Sequence, residues 1–252
     1  MTCAIDINRV FFGYDDFKME DINLQLHVGE QKAIVGLNGS GKTTLFKLIL
    51  GLLEPSSGEI FVMDKKLTKD NLWEIRQDIG FLFQNPDDQL FAPTVYEDVA
   101  FGPRNLGLPE DEVEYRVEWA LERVGMSAYR NRPVNQMSHG QSKRVALAGI
   151  ISMRPSILVL DEPFSGLDFK MVKTMLDIIQ KLRQEGVSIL FTTHNSFFIE
   201  NWSDSVAVLK EGQIIYDGPT REAIRSRVVS DNIGDWTKLK EHILSYKTTL
   251  IQ

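Results

Sequence analysis

The chain of 252 residues carries a net charge of −7, with 43% hydrophobic and 25% charged residues. That length accommodates one large domain or two modest lobes with ample core, and the acidic balance argues against the broad basic face of a nucleic-acid binder. No apolar run approaches the roughly 18 residues that cross a bilayer, and the single cysteine, Cys3, excludes an internal disulfide and fits a reducing compartment.

Met1 to Val10 has neither a basic n-region nor an apolar core, so it does not read as a secretory signal. The expectation is a cytoplasmic globular protein whose membrane role, if any, comes through a partner. Ala4 to Val10 and Ile22 to Val28 alternate as half-buried strands do, with a turn between them. Gly29-Glu30 makes a turn before Lys32-Ala33-Ile34-Val35, a short apolar strand that feeds a glycine-rich loop. After the loop, Thr43 to Leu53 reads as a helix stopped near Glu54-Pro55. Glu59 to Val62 and Gly80 to Phe83 read as further strands.

From about Thr94 to Arg132 the pattern becomes mostly helical, an insertion. Pro109-Glu110-Asp111-Glu112 opens a helix with acids in its first turn, where the dipole favours them. Val113, Val117, Ala120, Leu121 and Val124 recur at helical spacing along it. Next come a helix over Ser142 to Met153, a buried strand over Ile157 to Leu160, a helix from about Lys170 to Gln184, and a strand over Ser188 to Phe191. Helices alternating with apolar strands mean a parallel α/β core. Val206 to Leu209 and Gln213 to Tyr216 form a hairpin turning at Glu211-Gly212. The last thirty residues carry no clear pattern.

Two phosphate-cradling devices stand out: Gly36-Leu37-Asn38-Gly39-Ser40-Gly41-Lys42-Thr43 and Met137-Ser138-His139-Gly140-Gln141. One nucleoside triphosphate needs only one such loop, so the second points to a site shared between two molecules. The first matches G-x-x-x-x-G-K-S/T between a strand and a helix, the context that validates it. Its backbone N–H groups surround the β- and γ-phosphates, Lys42 adds a full charge, and the Thr43 hydroxyl suits Mg²⁺. Thr44 can hydrogen-bond a phosphate oxygen nearer the sugar.

Ile157-Leu158-Val159-Leu160-Asp161-Glu162 ends a buried strand in two carboxylates, a costly arrangement without a cation or proton to handle. Asp161 suits a water-mediated Mg²⁺ shell, and Glu162 suits polarising the attacking water. The bland alternative, a helix N-cap before Pro163, leaves the second acid unexplained. Gln84 ends one strand and can offer its amide oxygen to Mg²⁺. His194 follows another, level with the acids, although lone histidines are more often structural.

On these motifs the chain resembles the nucleotide-binding subunits of ABC transporters over nearly its whole length. The resemblance implies a P-loop NTPase of ABC type: an α/β fold with an antiparallel β lobe, a RecA-like parallel-sheet core and a helical lobe. The core and β lobe would take 1–93 and 155–225, the helical lobe about 94–154, and a C-terminal tail about 226–252. It makes 36–43 the Walker A loop, 157–162 Walker B, Gln84 the Q-loop glutamine and His194 the switch histidine. Ser165-Gly166-Leu167-Asp168 becomes the D-loop. Tyr14 falls where the family stacks adenine on an aromatic, with a plain turn tyrosine as the alternative.

Met137 to Gln141 stands where the family has LSGGQ, with Met137 for leucine and His139 for the first glycine. In the family, Ser138 and Gly140 meet ATP held by the opposing subunit, and the helix from Lys143 onward would aim its positive end at that phosphate. Gln84-Asn85-Pro86-Asp87-Asp88-Gln89-Leu90-Phe91, with Phe91-Ala92-Pro93 and Gly102-Pro103, resembles the energy-coupling factor ATPases, and within them the cobalt and nickel members.

The resemblance implies ATP and Mg²⁺ as cofactors and ATP hydrolysis as the activity. It also implies a second ATPase subunit, identical or paralogous, a transmembrane coupling protein and a substrate-binding membrane protein. The chain would work at the cytoplasmic face of the membrane, with no nucleic-acid partner. Leu90, Phe91 and Val95 would line the groove for the partner's coupling helices, or pack the helical lobe. A non-transport ABC ATPase acting on DNA or ribosomes is the rival. Against it, there is no room for a long coiled coil between the two loops, and there is one cassette. A small-metabolite P-loop kinase would not need 137–141.

Overall fold

The computed structural model describes residues 2–14 and 16–233. In chain order the elements are β1 (Cys3–Tyr14), β2 (Phe17–His27), β3 (Gln31–Val35), α1 (Lys42–Ile49), β4 (Ser57–Val62), β5 (Lys65–Lys66), α2 (Leu72–Asp78) and β6 (Ile79–Leu82). There follow α3 (Val95–Asn105), α4 (Glu110–Arg123), α5 (His139–Ile151), β7 (Ile157–Leu160), α6 (Phe169–Gln184), β8 (Ser188–Thr192), α7 (Ser196–Trp202), β9 (Ser205–Lys210), β10 (Gln213–Pro219), α8 (Thr220–Arg225) and α9 (Val228–Ile233). β1 and β2 run longer than their alternating cores, because the hairpin continues to a turn between Tyr14 and Phe17.

Four strands in the order β2-β1-β4-β5 make an antiparallel sheet, and six in the order β10-β9-β3-β8-β7-β6 make the central one. All neighbours from β9 to β6 pair parallel, and only β10 runs antiparallel. The inner strands β3, β7 and β8 are buried at every position, so they read as near-continuous apolar runs rather than alternating ones, whereas the edge strand β10 alternates between exposed and half-buried. Period two then splits them between two cores. Ile34, Ile157, Val159 and Leu190 join α1 and the antiparallel sheet. Ala33, Val35, Leu158, Leu160, Ile189 and Phe191 face the helices, where Val113, Val117, Ala120 and Leu121 of α4 close the layer. These are the antiparallel lobe, parallel core and helical lobe that the sequence resemblance implies.

Several boundaries differ from the sequence reading. α1 ends at Ile49, not Leu53, because Gly51 turns left-handed (φ 61°) and ends the helical path. α5 begins at His139, not Ser142. Ser138 caps it: its hydroxyl accepts from Gln141 N–H, while Gln141 Oε1 accepts from Ser138 N–H at 2.9 Å. The motif at 137–141 is therefore the cap and first turn of a helix. Its positive end lies at the motif itself, and Lys143 sits a turn further on, fully buried.

Val95 is also fully buried in the helical lobe and lines no surface groove. Of the segment expected as a tail, 228–233 form α9, whose Val229 and Ile233 are buried in the helix-side core. Residues 234–252 lie outside the described ones.

Candidate active site

Four adjacent strands, β3, β8, β7 and β6, deliver their functional residues from their carboxyl ends, where open α/β sheets bind ligands. The loop 36–41 follows β3, Gln84 follows β6, Asp161 and Glu162 follow β7, and His194 follows β8. Together they frame a cavity of about 820 Å³ lined by Tyr14, Phe17, Asn38, Gly39, Gly41, Lys42, Thr43, Thr44, Gln84, Asp161, Glu162, Ser165 and His194. Tyr14 stands half exposed at its edge, with Phe12 edge-on at 4.9 Å.

Gly41 precedes α1 at φ 110°, a conformation that side chains resist, and no side chain caps the helix. The first-turn N–H groups are thus left for a ligand, and the helix dipole favours an anion there. Lys42 lies across the loop, its ammonium donating to the carbonyls of Gly36 (2.7 Å) and Leu37 (3.0 Å). Burial lowers its pKa, while Glu162 and Asp161 partly oppose that. The Ser40 hydroxyl in the same loop is buried without a partner among the described residues.

The two acids are held differently. Asp161 Oδ1 accepts from Thr192 Oγ1 at 2.6 Å, and Thr192 Oγ1 in turn accepts the Glu162 N–H at 2.9 Å. Glu162 adopts φ 46°, rare for a residue with a side chain and costing of order 1–3 kcal/mol. Its Oε1 is buried with no hydrogen bond among the described residues, His194 Nε2 approaching only to 3.5 Å. Burial, and then the Asp161 charge, push the Glu162 carboxyl upward, against Lys42 and Lys143. Burial and then Lys42 push the His194 imidazole downward, against Asp161, which favours its neutral form.

Met137 to Gln141 do not line this cavity. Ser138 and His139 are exposed at the head of α5. Ser165 lines the cavity, Gly166 and Asp168 are exposed, Leu167 packs against the helix-side core, and Asp168 caps α6 by accepting from Met171 N–H at 2.8 Å. A second concavity of about 320 Å³ opens between the core and the helical lobe, lined in part by Trp73, Phe81, Phe91, Asp98, Phe101 and Met153. Phe91 is 65% exposed and meets Phe101 edge-on at 4.7 Å. Leu90 instead packs against the helix-side core.

Two participants escaped the sequence reading. Thr192 ends a run that reads as plain strand, with only its hydroxyl to mark it. Lys143 stands in register with Ala146, Leu147 and Ile150, a charge on the apolar stripe of a helix, and that was a readable signal.

Residues 19–165 match the family model described as ABC transporter. The chain belongs to the ABC transporter family. This ABC ATPase is 45% identical over 225 residues to the energy-coupling factor transporter ATP-binding protein EcfA of Methanothermobacter thermautotrophicus, covering 88% of this chain and 72% of that protein. The EcfA of Methanosphaera stadtmanae is 43% identical, covering 92% and 84%. Among solved structures, cbiO1 from Clostridium perfringens, part of the ABC transporter complex cbiONQ, superposes with a TM-score of 0.82 at 38% identity, over 90% of this chain and 92% of that one. An ATP-binding cassette solved as a dimer after hydrolysis, with ADP and Pi bound, gives 0.75 at 27%, over 86% and 99%. The protein is an ATP-binding ATPase, and among the described residues no helix is long and apolar enough to cross a membrane.

Proposed function

We propose that this ABC ATPase powers an energy-coupling factor importer, taking up a transition-metal ion (cobalt or nickel) or a vitamin. It works at the cytoplasmic face of the membrane, paired with a second ATPase subunit, beneath a transmembrane coupling protein and a substrate-binding membrane protein. The names of its EcfA relatives and of the cbiONQ subunit support the importer. The groove with Trp73, Phe91 and Phe101 is a suitable seat for a coupling helix, because these aromatics expose apolar area without burying each other fully.

The observation that carries the two-subunit reading is the placement of the motif 137–141. Ser138 and His139 at its head are exposed, and the motif lies outside the chain's own cavity. Exposed apolar side chains near the site, Leu37, Phe169 and Phe197, favour burial against another surface. In this arrangement each ATP lies between the 36–43 loop of one subunit and the 137–141 turn of the other.

Within a subunit, Tyr14 stacks the base, and the 36–43 loop with Lys42 holds the β- and γ-phosphates. Thr44 holds a phosphate oxygen nearer the sugar. Thr43, Gln84 and Asp161 bring three oxygen donors to one cavity, the hard set that suits Mg²⁺ alongside phosphate oxygens, with Asp161 acting through water. Bound there, Mg²⁺ supplies charge neutralisation on the phosphates. Glu162 accepts the proton of the attacking water; burial has moved its pKa toward the operating pH, which favours a general base. His194 hydrogen-bonds the γ-phosphate. The D-loop, 165–168, lies between these groups and the neighbour.

Glu162→Gln should still bind ATP, turn over at least 100-fold more slowly, and elute as a dimer in gel filtration with saturating ATP. A monomeric elution under those conditions defeats the two-subunit reading.

A further inference from the structure

Lys143 is fully buried on the second turn of α5, yet among the described residues it pairs with no carboxylate. Its ammonium donates instead to three backbone carbonyls: Glu162 (3.1 Å), Pro163 (3.2 Å) and Ser165 (2.8 Å). An ammonium has three donors, so all of them are spent on the turn that leads from β7 to α6. On the far side of that turn, Thr192 Oγ1 takes the Glu162 N–H. Both peptide groups flanking the Glu162 side chain are thus held by side chains, one from the helical lobe and one from the core sheet. They hold a backbone that is strained at φ 46°.

Two close approaches join the same pieces. A Cβ on Gly140 would stand 2.9 Å from Met171 Cγ, and a Cβ on Gly166 would stand 3.0 Å from His139 Nε2. The head of α5 and the turn 162–171 therefore touch at three places. Stability does not account for the ammonium. Burial pushes its pKa from 10.5 down to about 8, although Glu162 and Asp161 oppose this, so the charge is carried at a cost.

We propose that Lys143 is a positioning residue for hydrolysis, fixing the Glu162 backbone so that its carboxylate faces the cavity and tying that carboxylate to the motif at the head of its own helix. The engagement of 137–141 with a neighbouring nucleotide is thereby passed to the subunit's own acid. This rests on the reading of Glu162 as the base.

The test is Lys143→Met, Lys143→Gln and Lys143→Arg in the full chain, assayed with Mg-ATP. Methionine should lower kcat at least tenfold while KM for ATP and equilibrium ATP binding stay within twofold. Arginine, which keeps the donors and the charge, should recover most of kcat. If the methionine variant does not fold, glutamine is read by the same criteria. A kcat within twofold of the parent overturns the proposal, as does a kcat lost only in proportion to ATP binding. Glu162→Gln is measured alongside. Should it hydrolyse ATP at the parental rate, the base reading falls and takes this proposal with it; an inactive Glu162→Gln beside an active Lys143→Met refutes positioning alone.

Discussion

Lys143 and Glu162 show at single-residue scale what this site costs the fold. The drop of the Lys143 pKa from 10.5 to about 8 is worth roughly 3 kcal/mol against the charged form. A base whose folded pKa lies below its unfolded one carries the full penalty below the folded value, and the penalty fades as pH rises from about 8 toward 10.5. The parent should therefore gain stability relative to Lys143→Met across that window, measured by urea denaturation at pH 7, 9 and 10. A gap that stays constant with pH would mean that the buried ammonium is not penalised. Glu162 is disfavoured in its charged form for the same reason, burial, and Asp161 beside it adds to the effect.

At the scale of elements, α5 is the informative case. Ser138 does two jobs, since it caps the helix and, in the two-subunit reading, faces a phosphate. The jobs separate by substitution. Aspartate is as good an N-cap as serine, while alanine costs about 1 kcal/mol. Ser138→Asp should thus keep the parental denaturation midpoint yet lose ATP-driven dimerisation and hydrolysis, because a carboxylate repels the incoming phosphate. Normal hydrolysis by this variant would remove 137–141 from the reaction.

The same helix marks how far the sequence could be read. Loop 36–43, Gln84, Asp161, Glu162 and His194 were legible because each follows an apolar strand directly, and adjacent parallel strands bring their carboxyl ends together. The Ser138-x-x-Gln141 capping box was also written in the chain, and it sets the true start of α5. Val95 was legible only as an apolar residue, since burial depends on how α3 packs on its neighbours. Thr192 and Lys143 act across 30 and 19 residues through hydrogen bonds that no local pattern encodes.

For the whole molecule, the two faces of the central sheet divide the work. One face packs α1 and the antiparallel lobe, and the other packs the helical lobe that carries the aromatic groove. Phe91 and Phe101 are 65% and 47% exposed, so replacing both by alanine should cost little folding stability. In membranes that also contain the transmembrane partners, the double variant should lose most of its membrane-bound fraction while the purified protein keeps its ATPase rate. Unchanged recovery with membranes would move the docking seat elsewhere.

The hold of Lys143 on the acid turn has a thermodynamic corollary for a pair of such subunits. In the proposed pair, each subunit carries its motif and its acid on one linked body, with the motif facing the other's nucleotide. By linkage, any factor by which one bound nucleotide raises the affinity of the second site is matched by the factor by which the second raises the affinity of the first. On that proposal the two ATP molecules between such subunits bind as a coupled pair rather than as independent events.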